Sequence, residues 1–249
     1  AVTAWGVVGV LVVADSGAAS GQKPVRPPRL QVDPFWPKPL PNNWILGQVS
    51  GVAVDKRGHV WIVHRPRTLS DRELGAQQKP PFGKCCVAAP AVLVFDETGA
   101  VVRSWGGPGN GYEWPQSEHG IFVDDDDRVW LGGNGDKDSQ ILKFALDGTF
   151  LLQIGRSGQS KGSNDTANLG SPADVSVDSA AREVYVADGY RNRRVIVFDS
   201  DTGAYKPRNS SWRRATPTWR RLKAGIVAGK TITSPPRRII ARGSVMSRC

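Results

Sequence analysis

Three residues in this chain are of the types that hold metals, move protons and grip carboxylates: Arg65 directly after His64, His119 within Glu118-His-Gly-Ile121, and Tyr190 within Asp188-Gly-Tyr-Arg191. A neutral imidazole is a zinc ligand, and catalytic zinc sites keep one position open for substrate. A guanidinium stays charged and suits a developing carboxylate. A phenol, with a pKa of about 10, works as a base only where a nearby cation lowers it. Each residue also has a plainer reading. A single histidine does not hold zinc usefully, and taken alone His119 is more often a loop or core residue. Arg65 can simply pair with a carboxylate, and Tyr190 can pack as a rim aromatic. His59 sits in a turn and reads as solvated, while His64 has no assigned role.

The elements that would carry these residues repeat. Val52-Ala-Val-Asp55 leads to Val60-Trp-Ile-Val63, Phe122-Val-Asp124 to Val129-Trp-Leu131, and Val175-Ser-Val-Asp178 to Val184-Tyr-Val-Ala187. Each reads as strand, tight acidic turn, strand. A second echo follows in each unit, at Val92-Leu-Val-Phe95, Ile141-Leu-Lys-Phe144 and Val195-Ile-Val-Phe198, short apolar runs that end at Asp and then Gly. Asp bonds its own backbone and Gly tolerates positive φ, so both favour tight turns. The second echoes recur after 51 and then 52 residues, at Asp96, Asp147 and Asp199. That period suits four short strands per unit, as in a propeller blade. Val101-Val-Arg-Ser-Trp105 and Phe150-Leu-Leu-Gln-Ile154 supply fourth strands. No amphipathic stretch of helical period reaches a dozen residues in the body. The class is all-β, with three units over residues 44–205. Closed propellers typically have about four to eight blades, so further blades or other chains are expected to complete the ring.

The flanks differ from the body. Residues 1–20 form an apolar run followed by small residues and read as part of a signal peptide, too short to span a bilayer comfortably. Residues 21–43 are Pro-rich and read as a linker. The chain carries 33 Lys and Arg against 23 Asp and Glu, but residues 202–249 hold 12 basic residues and no acidic ones. The high pI therefore belongs to the tail, residues 206–249. This tail lacks the blade pattern and begins where a fourth strand is due. It reads as a shifted reading frame, a solvated tail, or an arm for an anionic partner. No nucleic-acid partner is expected from the body, and no stable membrane span. Cys85 and Cys86 are adjacent and read as a loop without redox duty, since neighbours bridge with strain.

Weaker motifs exclude several classes. Gly106-Gly-Pro-Gly-Asn-Gly111 imitates a dinucleotide loop with no helix after it. Residues 124–127 are four aspartates without the Gly and distal Glu of an EF-hand loop. Asn164-Asp-Thr166 is a glycosylation sequon only in a host that glycosylates. There is no P-loop, nucleophile elbow or His-Glu-x-x-His.

Gln48-Val-Ser-Gly-Val-Ala-Val-Asp55, His64-Arg65, Glu118-His-Gly-Ile121 and Val186-Ala-Asp-Gly-Tyr-Arg-Asn-Arg193 together resemble the NHL-repeat propellers, and more narrowly the peptidyl-α-hydroxyglycine α-amidating lyases. The resemblance covers about residues 44–205. It implies a six-bladed propeller, of which this chain carries about three four-stranded blades. It implies cleavage of a carbinolamide to a peptide amide and glyoxylate at a zinc held by three histidines. His119 falls on the first of these, Arg65 on an active-site arginine and Tyr190 on the catalytic tyrosine. Val52 and Ile121 fall on positions whose backbone carbonyls bind a structural calcium. The substrate, a peptide or small molecule, would sit at the propeller channel, and the protein would be exported, periplasmic or extracellular. The remaining ligands would lie in later blades, so the chain by itself is expected to be an inactive fragment. Two other functions stand beside this one. The first is a non-catalytic NHL propeller that binds a protein, glycan or small ligand. The second is a calcium-dependent lactonase-like propeller using Asn134, Asp138 and Asn192.

Overall fold

A computed structural model describes residues 31–207. The apolar N-terminal run, the start of the linker and nearly all of the basic tail lie outside them. The described residues form β1 (Trp44–Ile45), β2 (Gln48–Val54), β3 (Val60–Arg65), β4 (Val87–Ala88), β5 (Val92–Phe95), β6 (Val101–Trp105), β7 (Glu118–Val123), β8 (Arg128–Gly133), β9 (Gln140–Ala145), β10 (Phe150–Gly155), β11 (Asp174–Asp178), β12 (Glu183–Asp188) and β13 (Arg194–Asp199). The only helical piece among them is a single 3-10 turn, Pro66–Thr68.

The strands form three antiparallel meanders: β2-β3-β5-β6, β7-β8-β9-β10 and β11-β12-β13. After β13 the chain turns back, and Tyr205 bridges Phe198 where a fourth strand of the third sheet would pair. The expected all-β, propeller-type architecture is what the protein adopts. Outside the meanders, β1 and β4 pair in parallel through Trp44 with Val87 and Ile45 with Ala88.

The acidic turns close as their chemistry requires. Asp55 accepts the amides of Arg57 and His59 through Oδ1 and the indole N–H of Trp61 through Oδ2, at 3.1 Å. Asp124 does the same for Asp126, Arg128 and Trp130, the last at 2.9 Å. Two strands and a core tryptophan are thus fastened to one carboxylate. The third unit has Tyr185 in place of the tryptophan, and its hydroxyl donates to Glu183 instead. In the second echoes, Asp96, Asp147 and Asp199 accept amides two residues on, and Gly99, Gly148 and Gly203 take positive φ.

Strand alternation divides the core between sheets. Trp61, Val63, Val92 and Val94 of the first sheet pack against Val129, Leu131, Leu142 and Phe144 of the second. The opposite face of the second sheet presents Trp130 and Ile141 to Val184, Val186, Ile196 and Phe198 of the third. The outer face of the first sheet, Ile62, Leu93 and Phe95, is covered by Trp36, Leu40 and Trp44. Residues 33–43, a linker by composition, therefore lie on the sheet, with the Lys38 amide bonded to the Gly99 carbonyl.

The first strands of the three sheets converge. A Cβ on Gly51 would stand 2.6 Å from the carbonyl oxygen of His119, and one on Gly120 would stand 3.0 Å from that of Ala173. Replacing Gly51 by alanine should therefore push β2 from β7 and destabilise the protein by about 1–3 kcal/mol, as overpacking does. Gly189→Ala, where a Cβ meets nothing within 4 Å, should stay within about 0.5 kcal/mol of the parent. Urea unfolding midpoints compare the two, and equal losses would contradict the close approach.

Candidate functional site

Antiparallel pairing decides which end of the sheets carries chemistry. The Asp55, Asp124 and Asp178 turns occupy one end. The ends of β3, β8 and β12 and the starts of β7 and β11 share the other, since Gln48 pairs with Arg65, Glu118 with Gly133 and Asp174 with Ala187. Arg65, His119 and Tyr190 all fall there. Arg65 and His119 lie on strands rather than in loops, and Tyr190 follows β12 directly.

His119 and Tyr190 meet. The Tyr190 hydroxyl is 2.8 Å from His119 Nε2, and the rings stand edge to face at 5.2 Å between centroids. His119 Nδ1 is 2.8 Å from the carbonyl of Ala173. A carbonyl oxygen only accepts, so in the neutral ring Nδ1 carries the hydrogen and Nε2 accepts from the phenol. A carbonyl behind one nitrogen is the usual support for a metal-ligating histidine, because it fixes tautomer and ring direction.

Arg65 crosses from the first sheet to the second. Its Nε donates to the Glu118 carbonyl at 2.8 Å and its Nη2 to the Asn134 side-chain oxygen at 3.1 Å. The carboxylate partner that its charge allows is absent among the described residues, so the guanidinium keeps its positive charge uncompensated beside His119. The 3-10 turn after it is pinned by Thr68, whose hydroxyl donates to the Arg65 carbonyl and accepts the Gln48 amide.

Two acidic groups on the same strands fall outside the candidate residues of the sequence. Glu118 is buried, its Oε1 accepts the Trp114 indole N–H at 2.8 Å, and its Oε2 has no partner. Asp174 occupies the register position that Gly51 and Gly120 hold in the other sheets. It is solvent-exposed but walled by the converging strands, which push its carboxyl up against the pull of the Val175 amide and of His119. Comparing the three repeats position by position is the signal that finds it.

The metal readings can be set against these positions. His119 has one ring nitrogen, Nε2, with a lone pair of the kind zinc takes, and here that lone pair accepts the Tyr190 hydroxyl. A catalytic zinc needs about three protein ligands, and no group of three His, Cys, Asp or Glu side chains able to hold a metal occurs among the described residues. Val52 and Ile121, the calcium positions, lie on the converging strands β2 and β7, beside the Gly51 approach.

Several other expectations resolve differently. His59 is not a free solvated side chain: its Nδ1 lies 3.1 Å from the Asp55 carboxylate. Cys85 and Cys86 are joined in a disulfide. The three lactonase candidates do not converge. Asn134 serves Arg65 and Ser117, Asp138 binds the amides of Gln116, Ser117 and Gly135, and Asn192 binds Asp188. None of the described helices is long and apolar enough to cross a membrane.

No family model matches the chain. It is similar to peptidyl-glycine alpha-amidating monooxygenase B of Xenopus laevis, at 32% identity over 176 residues, a match covering 68% of this chain and 18% of that protein. It is 32% identical over 173 residues to peptidyl-alpha-hydroxyglycine alpha-amidating lyase 1 of Drosophila melanogaster, covering 66% and 29%. With a probable lyase of that name in Caenorhabditis elegans the identity is 28% over 165 residues, covering 62% and 42%. The chain thus spans less than half the length of these relatives. Among solved structures it resembles a chain of a nidogen/laminin complex, at 15% identity and a TM-score of 0.33 over 62% of each chain. The similarity to the amidating lyases read from the motifs is therefore present across most of the described residues.

His64 provides the pH test of this region. It is fully buried, its Nδ1 accepts the Gly47 amide at 3.1 Å and its Nε2 donates to the Pro90 carbonyl at 3.0 Å. Burial pushes its pKa below the ordinary 6.5, and protonation would set two N–H groups face to face. A lowered histidine pKa means that the unfolded chain binds the proton first. The stability His64 contributes is thus complete above pH 6.5 and falls as the pH drops toward the folded value. For this one group the slope is at most about 1.4 kcal/mol per pH unit. Unfolding midpoints measured from pH 7.5 to 5 should show this fall, and His64→Gln should flatten it. An identical slope in the variant would refute the neutral, buried imidazole.

Proposed function

We propose that this chain carries one side of the active site of an exported, zinc-dependent lyase. Its reaction cleaves peptidyl-α-hydroxyglycine to a peptide amide and glyoxylate, in a periplasmic or extracellular setting. The observation that carries the proposal is the His119–Tyr190 pair, with Nε2 turned toward the phenol by the Ala173 carbonyl and the uncompensated Arg65 on the adjoining strand.

The chemistry follows from what these groups can do. In the substrate one carbon bears a hydroxyl, an amide nitrogen and a carboxylate. The hydroxyl loses its proton, the carbon–oxygen bond becomes a carbonyl, the carbon–nitrogen bond breaks, and the nitrogen takes up a proton. Atoms and electrons balance without an oxidant. Arg65 is the group to hold the substrate carboxylate, because a guanidinium grips two oxygens at once. Tyr190 is the group to take the hydroxyl proton and return one to the leaving nitrogen. The His119 Nε2 lone pair accepts the phenol here; a zinc held at Nε2 would take that lone pair instead and leave the Tyr190 hydroxyl free to face the substrate. Zinc, when bound, supplies a Lewis acid that acidifies the hydroxyl. A structural calcium at the carbonyls of Val52 and Ile121 would hold the converging strands together.

A second reading keeps the propeller as a non-catalytic platform for a protein, glycan or small ligand. It is favoured by the single imidazole at the site among the described residues. Glyoxylate release from an α-hydroxyglycine peptide separates the two. The full-length protein should release it, and His119→Ala and Tyr190→Phe should each lower kcat by about 100-fold or more. Zinc content measured on the same samples should fall for His119→Ala alone. No release, or release indifferent to His119, would leave the platform reading.

A further inference from the structure

We propose that a cleft beside Tyr190 is a subsite for an acidic side chain of the peptide substrate, an inference that rests on the lyase function above. The cleft lies between three loops, residues 134–139, 156–170 and 189–193, at the end of the sheets that holds His119 and Tyr190. Its volume is about 270 Å³, with Asp136, Ser139, Gly158, Gly170, Arg191 and Asn192 among the residues that line it. Sites for whole small ligands run from about 300 to 1,000 Å³, so this one suits a single side chain. Glycine walls admit a peptide backbone closely, and no aliphatic or aromatic side chain lines it.

Its sign comes from Arg191, the residue after Tyr190. The Arg191 Nη1 donates to the Asp136 carbonyl at 2.6 Å. The Asp136 carboxylate is 3.6 Å away, with its side chain 96% exposed, so solvent screens that pair heavily. The other guanidinium donors of Arg191 make no bond among the described residues and remain for a ligand. The loops as a whole lean the same way, with Lys137, Arg156, Lys161, Arg191 and Arg193 against Asp136, Asp138 and Asp165. Two of those three acids already serve backbone amides. Asp138 accepts from Gln116 and Gly135, and Asp165 from Lys161 and Ala167. Asp136 and Arg191 are the two charged residues that line the cleft, and the five cations against three carboxylates of the surrounding loops tip the field at its mouth toward an anionic side chain.

The cleft is also built to keep its shape. Arg194 pairs with the buried Asp188 at 2.8 Å and donates to the carbonyls of Ser163 and Asn168. The Arg191 amide bonds to the Gly170 carbonyl at 2.9 Å, the Ser171 hydroxyl to that of Gly135 at 2.9 Å, and the Gly158 amide to that of Lys137 at 2.8 Å. Each loop is tied to another, so Arg191 is presented from a fixed base.

The test uses fluorescein-labelled hexapeptides that end in Glu-Gly, Gln-Gly or Lys-Gly, read by anisotropy on the full-length protein. The Glu peptide should bind about ten-fold more tightly than the Gln peptide, and the Lys peptide more weakly than either. The preference should shrink when salt rises from about 50 to 500 mM. It should vanish in Arg191→Gln, with circular dichroism unchanged. Equal affinities, no binding of any peptide, or a preference that survives in Arg191→Gln would overturn the subsite. Glyoxylate assays with the matching α-hydroxyglycine peptides keep the two proposals apart. Selective binding without release would sink the lyase reading alone, and release indifferent to the preceding residue would sink the subsite alone.

Discussion

The site depends on how near the first strands of the three sheets come to one another. Where β2 passes β7 there is no room for a Cβ at Gly51, and where β7 passes β11 there is little at Gly120. A β-sheet face normally stands off its neighbour by about 10 Å, the depth of two layers of side chains. Here glycine removes one layer at the point of crossing and lets backbone meet backbone. That proximity brings the Ala173 carbonyl, on the strand leading into the third sheet, under the imidazole of His119. It likewise lets Arg65 reach the Glu118 carbonyl across the gap between the first and second sheets. Without the convergence, the three functional side chains would sit on separate sheets and act on nothing in common.

The two ends of the sheets divide the work. At one end each turn is a carboxylate wrapped in backbone amides, and in two of the three units it also receives a core indole. Such turns are rigid and satisfy their own donors locally. At the other end the connections are long and bind across sheets: Lys38 to Gly99 aside, the reaching bonds run from Arg65, His119, Arg191 and Arg194 to carbonyls of distant segments. Carbonyl acceptors fix a cation or an imidazole in place without neutralising it. That is how Arg65 can be held firmly and still carry its charge, whereas a carboxylate partner would hold it equally well and cancel it.

The fold was legible in the sequence because it rests on local rules. Period-two apolar runs and Asp-then-Gly turns have a short-range cause and recur in three copies that reinforce one another, and a tryptophan early in the second strand recurs in two of them. The site was legible only in part. The resemblance of the flanking motifs to the amidating lyases singles out Arg65, His119 and Tyr190, but their meeting depends on the angle between sheets, which no local pattern encodes. The bond partners were not legible for the same reason. Arg65 finds a carbonyl rather than the carboxylate its charge suggests, and His59 finds the turn carboxylate rather than water. The covering of the first sheet by Trp36 and Leu40 was hidden by composition, since a Pro-rich stretch looks like a linker whether or not it packs. The Cys85–Cys86 disulfide was hidden because geometry disfavours bridging neighbours in general and says little about one loop.

Asp174 shows what comparison between repeats can extract beyond either source alone. Gly51, Gly120 and Asp174 hold equivalent places, and the first two are glycine for a steric reason. At the third place the chain carries a side chain, that of Asp174, where the other two carry none. The side chain present is a carboxylate, which the walls around it make costly to ionise. Placing a charge-bearing group where an apolar or absent one would be easier runs against stability, and such departures cluster where function is selected. The same logic covers Glu118, buried with one oxygen unserved next to His119. Both acids stand on strands that the glycines draw together. The imidazole and the guanidinium, each held by a backbone carbonyl, make this end of the sheets a polar region rather than a packed one.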